Sequence, residues 1–122
     1  MKISFIFLAL FLQASFASAE ILTDPRKIES EASNYRMLAI ECITDKKITK
    51  KDPLKIESCA TFKSFVRVKY PMLKTSLEQA QEQIKVKARA EGLTSEKIRS
   101  NLILLMSARS HMKVAGEIST QI

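Results

Sequence analysis

The sequence predicts a small all-α protein, a helical bundle of about four helices with a disulfide-stapled αα-hairpin. Apolar residues recur with the 3.6-residue period of a helix in successive segments. Two Asp-Pro pairs, beginning at Asp24 and Asp52, each place an N-cap acceptor before a proline in the first helical position. The two glycines of the chain, Gly92 and Gly116, stand where helices would end.

The first 19 residues have the pattern of a cleavable signal peptide. Lys2 supplies the positive charge, Ile3–Phe11 is apolar, and Ala17-Ser18-Ala19 has the small-x-small pattern that precedes a cleavage site before Glu20. We therefore expect an exported protein, either periplasmic or secreted. Residues 20–122 are long enough for one helical domain.

The first helix should run from about Pro25 to Ile43, with the loop Thr44–Asp52 after it and a second helix starting near Pro53. Its predicted core face is apolar or aromatic at helical spacing and includes one cysteine: Ile28, Ala32, Tyr35, Leu38, Ala39, Cys42 and Ile43.

The mature chain has two cysteines, Cys42 and Cys59, which an oxidising compartment would join into a structural disulfide. Closing a loop of this length stabilises the fold by about 3 kcal/mol in the chain-entropy model. A redox pair or a metal site is the alternative. The spacing is not Cys-x-x-Cys, however, and one histidine cannot complete a zinc site.

The segment that follows Cys59 has two interpretations. Residues 65–70 alternate apolar and basic side chains, as an extended strand does. No second strand-like segment exists to pair with it, so helix is favoured and extended chain stays the alternative. Pro71 should end or kink this element.

A third helix is expected over Ser76–Glu91, because Thr75 to Glu78 form a capping-box pattern. Thr94 or Ser95 should cap a fourth helix that runs to about Ala115, followed by a frayed tail, Glu117–Ile122. The fourth helix has the broadest apolar face of the chain: Ile98, Leu102, Leu105, Ala108, Met112 and Ala115. Ile103 lies off that face.

Positive charge is concentrated in one quarter of the chain. The sequence has a formal net charge of +7, of which Lys2 in the signal peptide contributes one. Residues 44–74 carry all the remaining excess, so this segment is the predicted partner-binding surface. Its basic residues are Lys46, Lys47, Lys50, Lys51, Lys55, Lys63, Arg67, Lys69 and Lys74. A merely solvated basic loop is the alternative.

The sequence has no recognisable catalytic or metal-binding motif. His111, the single histidine, falls on the polar side of the fourth helix beside Ser107 and Ser110. Glu78 and Glu82 lie four residues apart on a polar face, as solvated charges usually do. We therefore expect no catalytic residues, no metal and no cofactor.

The predicted function is non-catalytic binding of an acidic protein or an anionic lipid or glycan surface through the basic hairpin. An extracytoplasmic location argues against nucleic acid as the partner. Two alternatives stay open. One is a cationic protein that acts at membrane surfaces, and the other is a secreted enzyme without a cofactor that holds a small anionic substrate.

Overall fold

The computed structural model describes residues 20–92 and 95–122, and over these ranges it is an all-α bundle, as predicted. The predicted signal peptide and the alternative cap Thr94 lie outside the described residues. The helices are α1 (Pro25–Thr49), α2 (Glu57–Val68), α3 (Tyr70–Glu91) and α4 (Glu96–Ser119), with a 3₁₀ turn at Pro53–Lys55 between α1 and α2.

Helix α1 begins where predicted but is longer. The Asp24 carboxylate accepts a hydrogen bond from the Arg26 amide at 3.0 Å and caps the first turn. The prediction of a loop that begins at Thr44 is wrong, because residues 44–49 continue α1 without interruption. The helix ends at Lys50, whose φ of 55° is in the left-handed region and whose amide donates to the Lys46 carbonyl at 2.9 Å.

The α1–α2 hairpin is stapled by Cys42 and Cys59, whose sulfur atoms are at bonding distance and whose Cα atoms are 4.5 Å apart. That separation lies within the range that disulfides span. Asp52 caps the 3₁₀ turn by accepting a hydrogen bond from the Leu54 amide at 3.0 Å. The α-helix itself begins after this turn, at Glu57. Cys59 therefore sits in the first turn of α2, because this helix starts four residues later than the predicted start near Pro53.

Helices α2 and α3 follow one helical path with a break at Lys69. Residues 65–68 are helical, as favoured, and hydrogen bonds from the Lys69 amide to Phe65 and from the Leu73 amide to Lys69 continue the path. Pro71 does not end the element but stands in the first turn of α3, where a missing amide hydrogen costs nothing. The break at Lys69 and Pro71 lets α2 and α3 pack against different neighbours.

The predicted capping box at residues 75–78 is wrong, because Ser76 lies in the interior of α3 and is fully buried. Its hydroxyl donates to the Met72 carbonyl at 2.8 Å and accepts from the Leu22 amide, also at 2.8 Å. Helix α3 therefore starts six residues earlier than expected, and Ser76 ties the segment before α1 to it.

Helix α4 is capped by Ser95 and continues past Gly116 to Ser119. Both the end predicted at Ala115 and the frayed tail are wrong, because Ile118 and Ile122 pack against the core. The Lys46 ammonium of α1 also donates to the carbonyl oxygens of Gln121 and Ile122 at 3.0 and 3.4 Å. A lone glycine in a helix lowers its stability but does not end it where tertiary contacts hold the next turn.

The aromatic residues form the centre of the core. The Tyr35 ring stacks on Phe62 and Phe65, with centroids 5.8 and 5.3 Å away, and is tilted against Tyr70 at 5.4 Å. Burial, and secondarily the neighbouring Tyr70, raises the pKa of the Tyr35 phenol. The predicted face of α4 completes the core, and Leu105 in it is fully buried.

Candidate binding surface

Two of the nine predicted binding cations are engaged within the molecule. Lys46 donates to the carbonyl oxygens of Gln121 and Ile122, just beyond the end of α4. Lys69 pairs with the Glu31 carboxylate at 3.8 Å and lies 5.8 Å from the centroid of the Phe65 ring. Both side chains therefore contribute less to an outward-facing positive surface than the sequence suggests.

Four others lie at the end of the α1–α2 hairpin, which we call the hairpin tip (residues 47–55). Lys47, Lys50, Lys51 and Lys55 are exposed there. The tip is not the free loop that the sequence predicted, because it consists of the last turn of α1, three connecting residues and the 3₁₀ turn. Its backbone is consequently held at both ends by capping interactions.

The remaining three predicted cations line grooves between the kinked α2–α3 element and α4. Lys63 and Arg67 of α2 border a groove of about 260 Å³ that Ser119 and Ile122 close on the other side. The apolar floor of this groove is formed by Phe62 and Val66.

The second groove, of about 320 Å³, lies between α3 and α4. Lys74 stands on the α3 wall, and Arg109 and Lys113 stand on the α4 wall. Its floor is formed by Tyr70, Leu77 and Met112, and Glu78 and Gln81 complete the lining. Positive side chains therefore face each other across an apolar floor.

The two grooves follow one another along α4. Met112 of one groove and Ser119 of the other are seven residues apart on one helix face, and Val66 and Tyr70 line the opposite walls on either side of the break at Lys69. Helices α2 and α4 make little direct contact, because α2 packs on α1 whereas α3 packs on α4. We call the two grooves together the basic cleft and define its cations as Lys63, Arg67, Lys74, Arg109 and Lys113.

Gly116 lies on the α4 wall between the two grooves, one turn from Met112 and one turn from Ser119. A Cβ atom added there would meet no other atom within 4 Å. A side chain at position 116 would therefore project into unoccupied space between the two grooves.

Arg109 and Lys113 were missed by sequence reasoning, because their segment carries little net charge. Their spacing on α4 was the one indication that the sequence offered. They lie four residues apart on α4, beside the apolar face that includes Leu105 and Met112. Only the antiparallel packing of α3 against α4 brings them opposite Lys74.

His111 lies between α1 and α4 and is not a free surface residue. The Arg36 guanidinium, which can only donate, is 3.4 Å from Nδ1, so the neutral ring carries its hydrogen on Nε2. Nε2 lies 3.3 Å from Glu29 Oε1, and the Ser107 hydroxyl donates to the same oxygen at 3.3 Å. The Ser107 hydroxyl also lies 3.4 Å from Nε2, and these partly buried contacts tie α1 to α4.

Over residues 20–92 and 95–122, no group of three or more histidine, cysteine or carboxylate side chains is arranged to hold a metal ion. Glu82, one of the two carboxylates singled out on α3, pairs with Lys85 at 3.9 Å on the exposed surface. Glu78 lines the basic cleft. In the same ranges, no helix is long and apolar enough to cross a membrane.

A third groove of about 560 Å³ lies on the outer side of the hairpin, lined mainly by Leu38, Phe65 and Val68 with polar side chains at its rim.

Comparison of the chain with protein-family models, with curated proteins and with solved structures gave no match.

Proposed function

We propose that this protein is an exported, non-catalytic binding protein that captures an acidic partner in the basic cleft. The observation that carries the proposal is the arrangement of five cations along two successive grooves with apolar floors. Glu78 is the one carboxylate side chain among the described residues that line them. A concave surface of one charge sign concentrates the electric field and attracts oppositely charged partners.

The cations of the cleft are available for such a partner. Lys63, Arg67 and Lys74 are exposed and form no ion pair with the described carboxylates, in contrast to Lys69. Lys63 and Lys74 are separated by about 16 Å of helical path, from the rise of ~1.5 Å per residue. Charge spread over that length fits a chain with several carboxylates better than a single small anion.

The apolar floor adds a second contribution. Val66, Tyr70 and Met112 are partly exposed in the cleft, so apolar side chains of a partner would remove this surface from water. Electrostatic attraction accelerates the encounter, and apolar contact slows dissociation.

Export is part of the proposal and is supported by the disulfide. A buried Cys42–Cys59 bridge persists in an oxidising compartment, such as the periplasm or the extracellular medium. The signal-peptide pattern of residues 1–19 supports the same location.

The test is binding of fluorescein-labelled poly-L-glutamate, followed by anisotropy at low and high salt. The variant Arg67→Glu/Lys74→Glu should weaken binding at least about tenfold at low salt, because two attractive charges become repulsive. The control, Arg89→Glu/Arg99→Glu, changes the net charge equally at exposed positions outside the cleft. Equal weakening by the two variants would show that binding depends on net charge and would reject the cleft.

A second variant blocks the cleft without changing its charge. Gly116→Leu places an apolar side chain between the two grooves, whereas Gly116→Ala adds one methyl group. The leucine variant should weaken poly-L-glutamate binding and the alanine variant should not. Unchanged binding by Gly116→Leu would place the partner elsewhere on the surface.

A further inference from the structure

The hairpin tip combines the two most exposed large hydrophobic side chains described in the chain with four exposed lysines. Ile48 and Leu54 are 74% and 77% exposed. Ile48 projects from the last turn of α1 and Leu54 from the 3₁₀ turn, so the two flank the short connection at one end of the molecule. Exposed aliphatic side chains of this kind contribute nothing to the core of the protein.

The lysines on either side of these two residues give the tip its charge. Lys47, Lys50, Lys51 and Lys55 are exposed, whereas Asp52 caps the 3₁₀ turn with its carboxylate. The nearby Asp45 carboxylate accepts a hydrogen bond from the Ser58 hydroxyl at 2.6 Å. The outward charge of the tip is therefore positive.

We propose that the hairpin tip docks on a membrane surface rich in acidic phospholipids, a role additional to capture of an acidic partner in the basic cleft. The lysines would pair with phosphate headgroups while Ile48 and Leu54 enter the boundary between headgroups and acyl chains. Aliphatic side chains that protrude beside cations fit such an interface, where apolar and anionic groups lie in adjacent layers. A purely acidic protein surface would satisfy the lysines but leave both aliphatic side chains in water.

The geometry of the tip suits a reversible attachment. Ser58, Asp45 and the two capping interactions hold its backbone in place, so docking requires no refolding. Clusters of about four to eight basic residues bind acidic lipid surfaces, and the tip has four lysines. Its two aliphatic side chains add a limited apolar contribution. The tip therefore anchors the protein weakly and leaves the cleft, between α4 and the α2–α3 element, accessible.

The experiment is co-sedimentation of the purified protein with vesicles of phosphatidylglycerol and phosphatidylcholine, or of phosphatidylcholine alone. The protein should sediment with the anionic vesicles and not with the neutral ones. The variant Ile48→Ser/Leu54→Ser keeps every charge and should weaken vesicle binding about tenfold or more, because it removes the inserted apolar surface. Circular dichroism checks that folding is unchanged.

The matched control is Ile103→Ser/Met106→Ser, which removes the apolar pair on α4 that comes next in exposure, at 67% and 62%. It should bind vesicles as the wild type does. Equal loss in both double variants would show non-specific adsorption, and no loss in the tip variant would show that only charge is involved. Either result overturns the proposal. The cleft variant Arg67→Glu/Lys74→Glu separates the two functions, because it should lose poly-L-glutamate and keep the anionic vesicles.

Discussion

Lys46 of α1 holds the Gln121 carbonyl oxygen at the end of the chain, 3.0 Å from its ammonium nitrogen. This contact joins a residue assigned by sequence to the binding surface with a residue assigned to a frayed tail. The contact gives Lys46 a structural role, because it ties the segment beyond Gly116 to α1.

Replacing Lys46 should therefore affect the tail and not partner capture. Lys46→Met should lower the free energy of unfolding by about 1 kcal/mol, the usual net contribution of such hydrogen bonds. Hydrogen exchange at residues 118–122 should become faster. Lys74→Met is the comparison, since it should leave exchange there unchanged and weaken poly-L-glutamate binding. If Lys46→Met weakened poly-L-glutamate binding and left hydrogen exchange at residues 118–122 unchanged, Lys46 would belong to the binding surface.

Helix α4 offers a test of the core. Leu105 is fully buried and Ile103 is 67% exposed. Leu105→Ala should cost about 2–5 kcal/mol, and Ile103→Ala less than about 0.5 kcal/mol. Leu102 is only partly buried, so its loss should be intermediate. Chemical denaturation gives all three values, and similar costs at the three positions would contradict the orientation of α4.

The disulfide should contribute stability without taking part in binding. The variant Cys42→Ala/Cys59→Ala should lose about 3 kcal/mol, since the unfolded chain regains the freedom that the bridge removes. Its folded fraction should bind poly-L-glutamate like the wild type, because both sulfur atoms are buried away from the basic cleft. If either thiol of the native protein alkylates without reductant, the bridge is not structural.

The raised pKa of the buried Tyr35 phenol should make the protein less stable in alkaline solution. Its pKa is raised above the ordinary value of 10.0, chiefly because burial disfavours the phenolate. The folded state keeps the proton that the unfolded state releases, so the free energy of unfolding should fall as the pH rises above about 10. Tyr35→Phe should reduce this fall relative to wild type, as measured by urea denaturation at neutral and alkaline pH. Identical slopes would show that Tyr35 does not contribute.

Helical periodicity was sufficient to predict the all-α class and the buried faces, because a helix must bury its apolar stripe. Periodicity did not give the correct helix boundaries where a residue is compatible both with the end of a helix and with its start or continuation. Pro71 can end one helix or start the next, and the local sequence does not decide between them; in the fold it stands in the first turn of α3, next to Tyr70, which packs on Tyr35. Gly116 ends many helices, but Ile118 gains enough by packing on the core to continue this one.

The basic cleft was only half predictable for a related reason. Lys63, Arg67 and Lys74 belong to a segment with a clear charge excess, which composition detects. Arg109 and Lys113 are diluted among acidic and neutral neighbours along the chain, and tertiary packing alone places them beside the others. Local sequence carries no information on which helix faces which.

Capture in the basic cleft is tested most directly by mapping amide chemical shifts by nuclear magnetic resonance while poly-L-glutamate is added. The largest shifts should fall in residues 63–74 and 109–119, on the walls of the basic cleft. Shifts that concentrate in residues 46–55, or that spread evenly over the surface, would contradict capture of an acidic partner in the cleft.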